Sequence, residues 1–434
     1  ASGLTVLGGG TMLGRLARAA ATPIAPADRY FIFCYFAGGW DILLSLDPRD
    51  PALFNDATAA TTKINPGYNQ LALKNPVTTP SGIVFGPYIG GLAAHHDKIC
   101  VIRGMSMETL THDVGRRRFL TGRPPSGLSA RGTSAASWLT AKTGGEAHPL
   151  PNIAMRVESY NVDVPSYATA LKTNSVADLL RALSASDPAL APQLADAIDA
   201  LLSAQAECRT ASPMLVAAEA SRKRAATMAQ GGLSSLFNFG ANTPEMAELR
   251  NYWGFGANDL ASGPAQAAMA ARAIMNGVSR CVSIQPAAGL DTHSAEWVTD
   301  QGPRQKAGFD AVAKLMDTLA AEPYDDHSSW LDHTTIVGFS EFSRTPLINA
   351  RGGRDHSLTN ACFVAGGGVR GGTIVGRSSD IAMTPTTMNL TTGLYEPDGA
   401  IIRPEHVWQA IYESVGMTIE ADLRVPPLKA AFTT

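Results

Sequence analysis

Acidic, imidazole and guanidinium side chains recur in short polar segments that follow or precede apolar runs of the chain. The candidate residues in these segments are Asp41, Thr111, His112, Asp113, Asp291, His293, Glu341, Arg344, Arg354, Asp355 and His356. Carboxylate oxygen and imidazole nitrogen are ordinary ligands of zinc and manganese, and carboxylates also bind calcium and magnesium. If the segments converge in the fold, they predict a site for one or two divalent metal ions.

Such a site could act on a charged ester. Two metal ions ~3.5–4 Å apart can hold both the attacking and the leaving oxygen of a phosphate or sulfate ester. Arg344 or Arg354 could add a planar fork that binds an oxyanion through two hydrogen bonds. The residue types therefore indicate metal-dependent hydrolysis or group transfer on an anionic ester.

Each candidate also has a structural interpretation. Asp41 is as well suited to cap a helix that begins near Ile42 as to bind metal, because Asp is a good N-cap. Asp355 is either a metal ligand or the ion-pair partner of Arg354. The histidines outside the candidate segments lie at the wrong end of the predicted strands or away from their loops: His95, His96, His148, His327, His333 and His406.

The elements that must position these residues are apolar runs of strand length that alternate with helical patterns. Strands are predicted at 30–36, 98–103, 279–284, 334–339 and 361–365, and helices at 264–276 and 305–321. Continuous apolar strands that alternate with helices predict an α/β fold with a mostly parallel sheet and helices on both faces. Ligands of such sheets bind outside the carboxyl ends of the strands, where most of the polar segments stand.

Composition excludes two classes of protein. The 434 residues carry 35 Lys and Arg against 38 Asp and Glu, so the basic excess of a nucleic-acid-binding protein is absent. No apolar run reaches the length of a transmembrane helix.

We expect one α/β domain over residues 27–434, with a helical insertion at 176–253. We also expect four of the five cysteines to be buried in strands.

Residues 1–26 have the mildly apolar, small-residue character of a signal peptide. Their glycine content suits the twin-arginine route, although the Arg-Arg pair itself is not in this segment. The expected location is therefore periplasmic or extracellular. The alternative is an N-terminal extension that packs on the protein or on a partner.

The stretch GFSEFSRTPLINARGGRDHSLTNACFVAGGGVRGG resembles the C-terminal signature of an exported bacterial family, domain-of-unknown-function family 1501. YFAGGWD, GLDTHS and the THD…LTG stretch match the same family in the same order, so the resemblance covers roughly residues 29–420. The family resembles a distant branch of the alkaline phosphatase and sulfatase superfamily. This resemblance implies a fold of that type, twin-arginine export and a co-encoded exported protein as a partner.

The superfamily comparison implies roles for individual residues. Sulfatases place their nucleophile at the start of a helix, in a Cys-x-Pro-x-Arg stretch that ends in Leu-Thr-Gly. HDVGRRRFLTG has the same length and ending, with His112 at the nucleophile position and Arg116 on the motif arginine. The comparison implies metal ligands at Asp41, Asp291, His293 and His356. Glu341 stands where an Asp-His pair is expected and Phe342 replaces the histidine, which puts one of two metals in doubt.

Two functions remain open at this point. In the first, the chain is an exported metal-dependent hydrolase or transferase of phosphate or sulfate esters, acting on an anionic ester or an envelope polymer. Metal would then be held by Asp41, Asp291, His293, Glu341 and His356, with Asp355 as a further candidate ligand. His112 would be a nucleophile, a metal ligand or a general acid, and Thr111 would be the alternative nucleophile. Arg116 and Arg354 would orient the anion. In the second, the altered site marks a non-catalytic exported binding or assembly subunit.

Overall fold

The architecture is built on one large sheet. A computed structural model describes residues 24–184, 192–208, 212, 215–216, 219–220, 222–223, 232–417 and 423–433. Most of the signal-like segment 1–26 therefore lies outside the described residues. The strands are β1 Tyr30–Phe36, β2 Val77–Thr78, β3 Val84–Phe85, β4 Ile99–Ser106, β5 Asn152–Met155, β6 Leu171–Thr173, β7 Cys281–Ala287, β8 Thr334–Phe339, β9 Ser343–Arg344, β10 His356–Ser357, β11 Thr359–Gly366, β12 Thr373–Val375, β13 Thr387–Met388 and β14 Ala400–Ile401.

Helices fill most of the intervals between the long strands. The α-helices are α1 Ala59–Thr62, α2 His112–Thr121, α3 Ala135–Lys142, α4 Val176–Ser184, α5 Pro192–Glu207, α6 Leu233–Phe237, α7 Pro244–Trp253, α8 Gly263–Met275, α9 Gly302–Ala321, α10 Trp330–His333 and α11 Pro404–Ser414. Short 3-10 segments lie at Pro26–Asp28, Ile42–Leu44, Tyr68–Gln70, Gly90–Lys98, Gly145–Ala147, Ser166–Ala168 and Lys429–Ala431, and Trp297–Gln301 is a π-helical turn. Every described element from α4 to α7 is helical.

The main sheet has eight strands in the order β12-β4-β11-β8-β1-β7-β5-β6. Seven of them run in one direction, and β11 is antiparallel to both of its neighbours, β4 and β8. The predicted α/β fold with a mostly parallel sheet is therefore confirmed, and the five predicted strands correspond to β1, β4, β7, β8 and β11. The reversal of β11 has a local cause, because the segment from β8 to β11 holds the β9–β10 hairpin and no crossover helix.

The core lies on both faces of the sheet. Side chains of β1 alternate between the two faces: the Phe33 ring packs 5.4 Å from Trp408 of α11, and the Phe36 ring packs 4.6 Å from Phe309 of α9. The residues around Phe33 form one buried cluster with α2, α3 and α11, and those around Phe36 form another with α8 and α9. Helices thus cover the sheet on both sides, as the continuous apolar strands predict.

Four cysteines belong to the core of the sheet. Cys34, Cys100, Cys281 and Cys362 are unpaired and buried within strands, where burial raises the pKa of each thiol, so they behave as small hydrophobic residues.

Among the described helices, none combines the length and the apolar character needed to cross a bilayer.

The sheet direction brings the polar segments together. The loops that follow β1, β4, β7 and β8 all leave the same edge of the sheet, and the segment that precedes β11 enters at that edge because β11 runs the opposite way. The β9–β10 hairpin at this edge places His356 opposite Arg344. Polar residues from five distant parts of the sequence therefore meet at one site.

Candidate metal centre and active site

Three imidazole rings surround the Asp291 carboxylate. The Nε2 atoms of His293 and His356 lie 3.0 and 3.2 Å from Asp291 Oδ1 and 3.0 Å from each other. His112 Nε2 lies 3.4 Å from the other carboxylate oxygen, Oδ2. Candidate ligand atoms of His112, Asp291 and His356 all lie within 4.8 Å of one another. The structure thus brings together four of the residues that the sequence singled out.

The opposite nitrogen of each ring is held by an acceptor outside this group. Nδ1 of His112 lies 2.7 Å from Glu341 Oε1, and Nδ1 of His293 lies 2.9 Å from Asp355 Oδ1. Nδ1 of His356 lies 2.6 Å from the Leu110 carbonyl oxygen, a main-chain contact that no side-chain pattern could indicate. Each contact fixes a ring so that its Nε2 faces Asp291, which is the usual arrangement around metal-binding histidines.

Close packing of α2 sets the position of His112. This residue is the first of α2, and Gly115 lies one turn further along. A Cβ atom added at Gly115 would stand 2.2 Å from the main-chain oxygen of Glu341. The helix can therefore approach the segment after β8 closely enough for the His112–Glu341 hydrogen bond only because residue 115 is glycine.

Charges within the site shift the pKa of its carboxyl groups. Partial burial alone would raise the pKa of Asp291, but the hydrogen bond from Arg344 and the contact with His356 outweigh it and lower the pKa to about 2. Burial would likewise raise the pKa of Glu341, yet its hydrogen bonds, first of all that with His112, lower it. Both groups are therefore carboxylates at neutral pH.

The pKa values of His112 and His356 are shifted in opposite directions by their surroundings. The hydrogen bond with Glu341 raises the pKa of His112 despite its partial burial. Burial lowers the pKa of His356, which favours the neutral, metal-binding form of that ring. The Asp355 carboxyl has a lowered pKa because it is hydrogen-bonded to His293.

Arg344 is buried and positions Asp291. Its Nη2 donates to Asp291 Oδ1 at 2.7 Å and to the Gly38 carbonyl, and its Nε donates to the Gly39 carbonyl at 2.9 Å. Its Nη1 lies 3.4 Å from His293 Nε2. Its Nε and Nη2 donors are thus engaged within the protein, and binding of a substrate anion by Arg344 stays a prediction from the sequence.

Asp41 and Arg354 form a pair in the interior, and neither side chain is exposed. Asp41 accepts hydrogen bonds from Leu43 N at 3.0 Å and from Trp297 Nε1 at 2.9 Å, so it caps the 3-10 turn Ile42–Leu44, which is its alternative interpretation. Arg354 Nε lies 3.1 Å from Asp41 Oδ2 without the alignment of a hydrogen bond. Its other nitrogens donate to the carbonyls of Thr345, Asn65 and Pro66. These contacts belong to the fold rather than to the Asp291 cluster.

The remaining predicted residues lie around the centre. Thr111 is exposed, precedes α2 and makes no side-chain cap. Arg116 donates to Asp113 Oδ1 at 2.5 Å and to Glu158 Oε1 at 2.9 Å, and it makes no hydrogen bond or ion pair with Asp291. Glu158 was not singled out by the sequence, because nothing in its local pattern distinguishes it from a surface carboxylate.

Phe342 forms an apolar wall of the centre. Its buried ring lies 4.6 Å from the ring of His112 and 4.1 Å from that of His356. A phenyl ring offers no metal ligand, so the donors that surround Asp291 fit one ion better than two.

Comparisons with known proteins yield one family. No curated protein matches the chain. A solved structure described as Ps i-CgsB in complex with k-i-k-neocarrahexaose shares 11% identity, with 92% of this chain and 75% of that chain covered and a TM-score of 0.35, which is too low to support an inference. The family model "Protein of unknown function (DUF1501)" matches residues 28–392, nearly the whole chain. The protein therefore belongs to the DUF1501 family, as its sequence motifs indicate.

Proposed function

We propose that the chain is a metal-dependent hydrolase of phosphate or sulfate esters, with one ion held by Asp291, His293 and His356. The observation that carries this proposal is the fixed orientation of the rings: each histidine is bonded through Nδ1 to an outer acceptor and presents Nε2 to Asp291. A structural histidine cluster has no need of such a common orientation.

The separations between the donor atoms match the size of a bound ion. Ligands 2.0–2.1 Å from a tetrahedral zinc ion stand roughly 3.3 Å apart. The donor atoms of Asp291, His293 and His356 are 3.0–3.2 Å apart, so a slight expansion accommodates the ion. Two imidazoles with one carboxylate favour zinc or another first-row transition ion, since calcium and magnesium prefer oxygen ligands.

Exposure of the donors favours an active site over a structural one. The Asp291 side chain is 46% exposed and that of His293 is 30% exposed, so solvent and substrate reach the centre. Three protein ligands also leave a coordination position open, as in catalytic zinc sites. The bound ion would supply a Lewis acid that polarises the ester.

The protein groups beside this open position suit anionic ester chemistry. His112 lies against Asp291 Oδ2 and Glu341, where it can transfer a proton to or from the reacting ester. It also begins α2, so the free main-chain N–H groups of that helix attract an anion at this place. His112 is thus proposed as the acid–base residue, with Glu341 as its positioning residue.

Metal content and turnover test the proposal together. We expect about one equivalent of transition metal in the purified protein, lost in His356→Ala and kept in His327→Ala, a variant of an exposed histidine outside the site. His112→Ala should keep the metal and lose metal-dependent hydrolysis of 4-nitrophenyl phosphate or 4-nitrophenyl sulfate. Metal-free protein that takes up no ion on reconstitution would refute the centre. Full metal content with no hydrolysis of any ester would instead favour the non-catalytic subunit.

Export and an envelope polymer as substrate stay predictions from the sequence. Export rests on the character of residues 1–26, most of which lie outside the described part of the chain, and on the family resemblance, and the envelope polymer follows from export.

A further inference from the structure

A surface cavity of about 490 Å³ lies beside the metal centre. The ends of β1, β5, β6 and β7 contribute to its walls, so it opens at the same edge of the sheet as the centre. The polar residues that matter most for its chemistry are Tyr35, Arg116, Arg156, Glu158, Lys172 and Gln285.

Cationic side chains outnumber the acidic one in this cavity. Glu158 is the acidic residue of the lining, and Arg116, Arg117 and Tyr160 already engage its carboxylate. Burial would raise the pKa of Glu158, but these hydrogen bonds lower it to about 2. Its charge is therefore balanced within the protein. The lining keeps the positive charges of Arg156 and Lys172, both exposed, and the Lys172 ammonium lies 5.9 Å from the centre of the Tyr160 ring.

Arg156 is exposed, and in the part of the chain that the structure describes no protein anion lies against its guanidinium group. Throughout the described residues, no hydrogen bond or ion pair involves its guanidinium group, whereas its main-chain N donates to the Thr173 carbonyl at 2.9 Å. Its φ of 57° lies in the left-handed region, which is costly for a side chain of this kind. The fold thus holds a strained main-chain conformation at the end of β5, at a residue whose exposed cation has no partner among the described residues.

The cavity is connected to the metal centre through shared residues. Arg116 follows His112 by one turn of α2, a rise of about 6 Å. The Tyr35 hydroxyl interacts with both Arg116 and Glu341, and Glu341 in turn is bonded to His112. Tyr35, Arg116 and Glu341 therefore form a continuous chain of contacts from the cavity lining to His112.

We propose that this cavity binds a second phosphate or sulfate group of the substrate, with Arg156 and Lys172 as its main ligands. The proposal rests on the proposed hydrolase function and narrows the substrate to polyanionic molecules, such as a chain with acidic groups on neighbouring units. A guanidinium group and an ammonium group suit a tetrahedral oxyanion, since both donate charge-assisted hydrogen bonds.

Binding of inorganic sulfate to metal-free protein, measured by calorimetry in the presence of a chelator, tests the subsite. We expect saturable binding by the wild type and an affinity at least about tenfold lower in Arg156→Gln/Lys172→Gln, because two charge-assisted bonds are lost. Arg181→Gln/Lys74→Gln is the matched control, since both residues are exposed and outside the cavity, and it should bind sulfate as the wild type does.

The outcomes separate this subsite from the metal centre. Sulfate binding that survives in Asp291→Ala/His356→Ala and is lost in the cavity variant supports the proposal. The reverse pattern, or a wild type that shows no saturable binding, overturns it. The measurement needs neither metal nor turnover, so the subsite can fail while the hydrolase function stands, and the hydrolase function can fail while the subsite stands.

Discussion

Replacement of Asp41 by Asn separates a structural role of this residue from metal binding. The substitution keeps the size of the side chain and removes its charge. In the structure, the carboxylate is fully buried, caps the turn at Ile42 and lies 3.1 Å from Arg354 Nε. The variant therefore leaves a buried guanidinium group without its counter-ion.

The size of the effect follows from the geometry of the pair. Two unit charges 3.1 Å apart attract each other by about 5 kcal/mol at the effective dielectric constant of about 20 that describes protein sites. Three carbonyl oxygens still accept hydrogen bonds from Arg354 in the variant, which offsets part of this loss. We expect the free energy of unfolding to fall by about 3–5 kcal/mol, the usual cost of removing one partner of a buried ion pair.

Chemical denaturation and metal analysis of the same preparations provide the assay. Asp41→Asn should shift the denaturation midpoint to lower denaturant and still bind about one equivalent of metal below that midpoint. Asp398→Asn, at an exposed position, should change neither quantity. An Asp41→Asn protein of wild-type stability that has lost its metal would refute this reasoning and establish Asp41 as a ligand.

Three further predictions concern the groups around the centre. Asp355→Asn should weaken metal affinity by about 10–100-fold without changing the stoichiometry, because Asp355 orients His293 from outside the ligand set. Gly115→Ala should impair metal-dependent turnover, since its Cβ would meet the Glu341 main chain at 2.2 Å and displace α2. The pKa of Glu158 is lowered to about 2, so its carboxylate stabilises the fold above pH ~4.5, and this contribution is lost as pH falls towards 2. Glu158→Gln lacks this contribution, so its free energy of unfolding should fall less than that of the wild type over the same pH range.

Each of these predictions has its own measurement. Metal titration against a competing chelator gives the affinity of Asp355→Asn, and an unchanged constant would contradict the role of that carboxylate. Ala141→Gly in α3 serves as the helix control for Gly115→Ala, and wild-type turnover in the latter would show that α2 tolerates the side chain. For Glu158→Gln, denaturation midpoints are measured between pH 2 and 7, roughly the range in which carboxyl groups titrate. If the midpoints of the variant and the wild type fall equally as pH is lowered, the Glu158 carboxylate is not the source of the acid dependence.

The fold was accessible from the sequence because its strands are buried on both faces. Continuous apolar runs such as that of β1 have few interpretations other than a central strand. The sequence did not predict that β11 runs antiparallel to its neighbours. Its residues are as apolar as theirs, and the direction of a strand depends on the connection that precedes it rather than on the residues of the strand. The edge strand β6 was missed as well, because three half-exposed residues carry no strand pattern.

The candidate site was predictable by residue type but not by role. Histidine and carboxylate positions near strand ends were sufficient to find Asp291 and its surrounding rings. The sequence could not show that Arg344 and Arg354 are turned to main-chain carbonyls, because a buried arginine and a substrate-binding arginine look alike in a polar loop. Nor could it find Arg156, whose unusual main-chain conformation appears only in the fold.

The assembly of the proposed centre from segments between residues 112 and 356 would link metal affinity to the folding of the whole sheet. In the unfolded chain, His356 is separated from Asp291 and His293 by about 60 residues, so no compact ligand set exists there. An ion that binds only the folded chain stabilises it by about 4 kcal/mol when free metal exceeds its dissociation constant about a thousandfold. Long-range strand pairing must precede this gain, so the metal would act late in folding and chiefly slow the unfolding of the completed sheet.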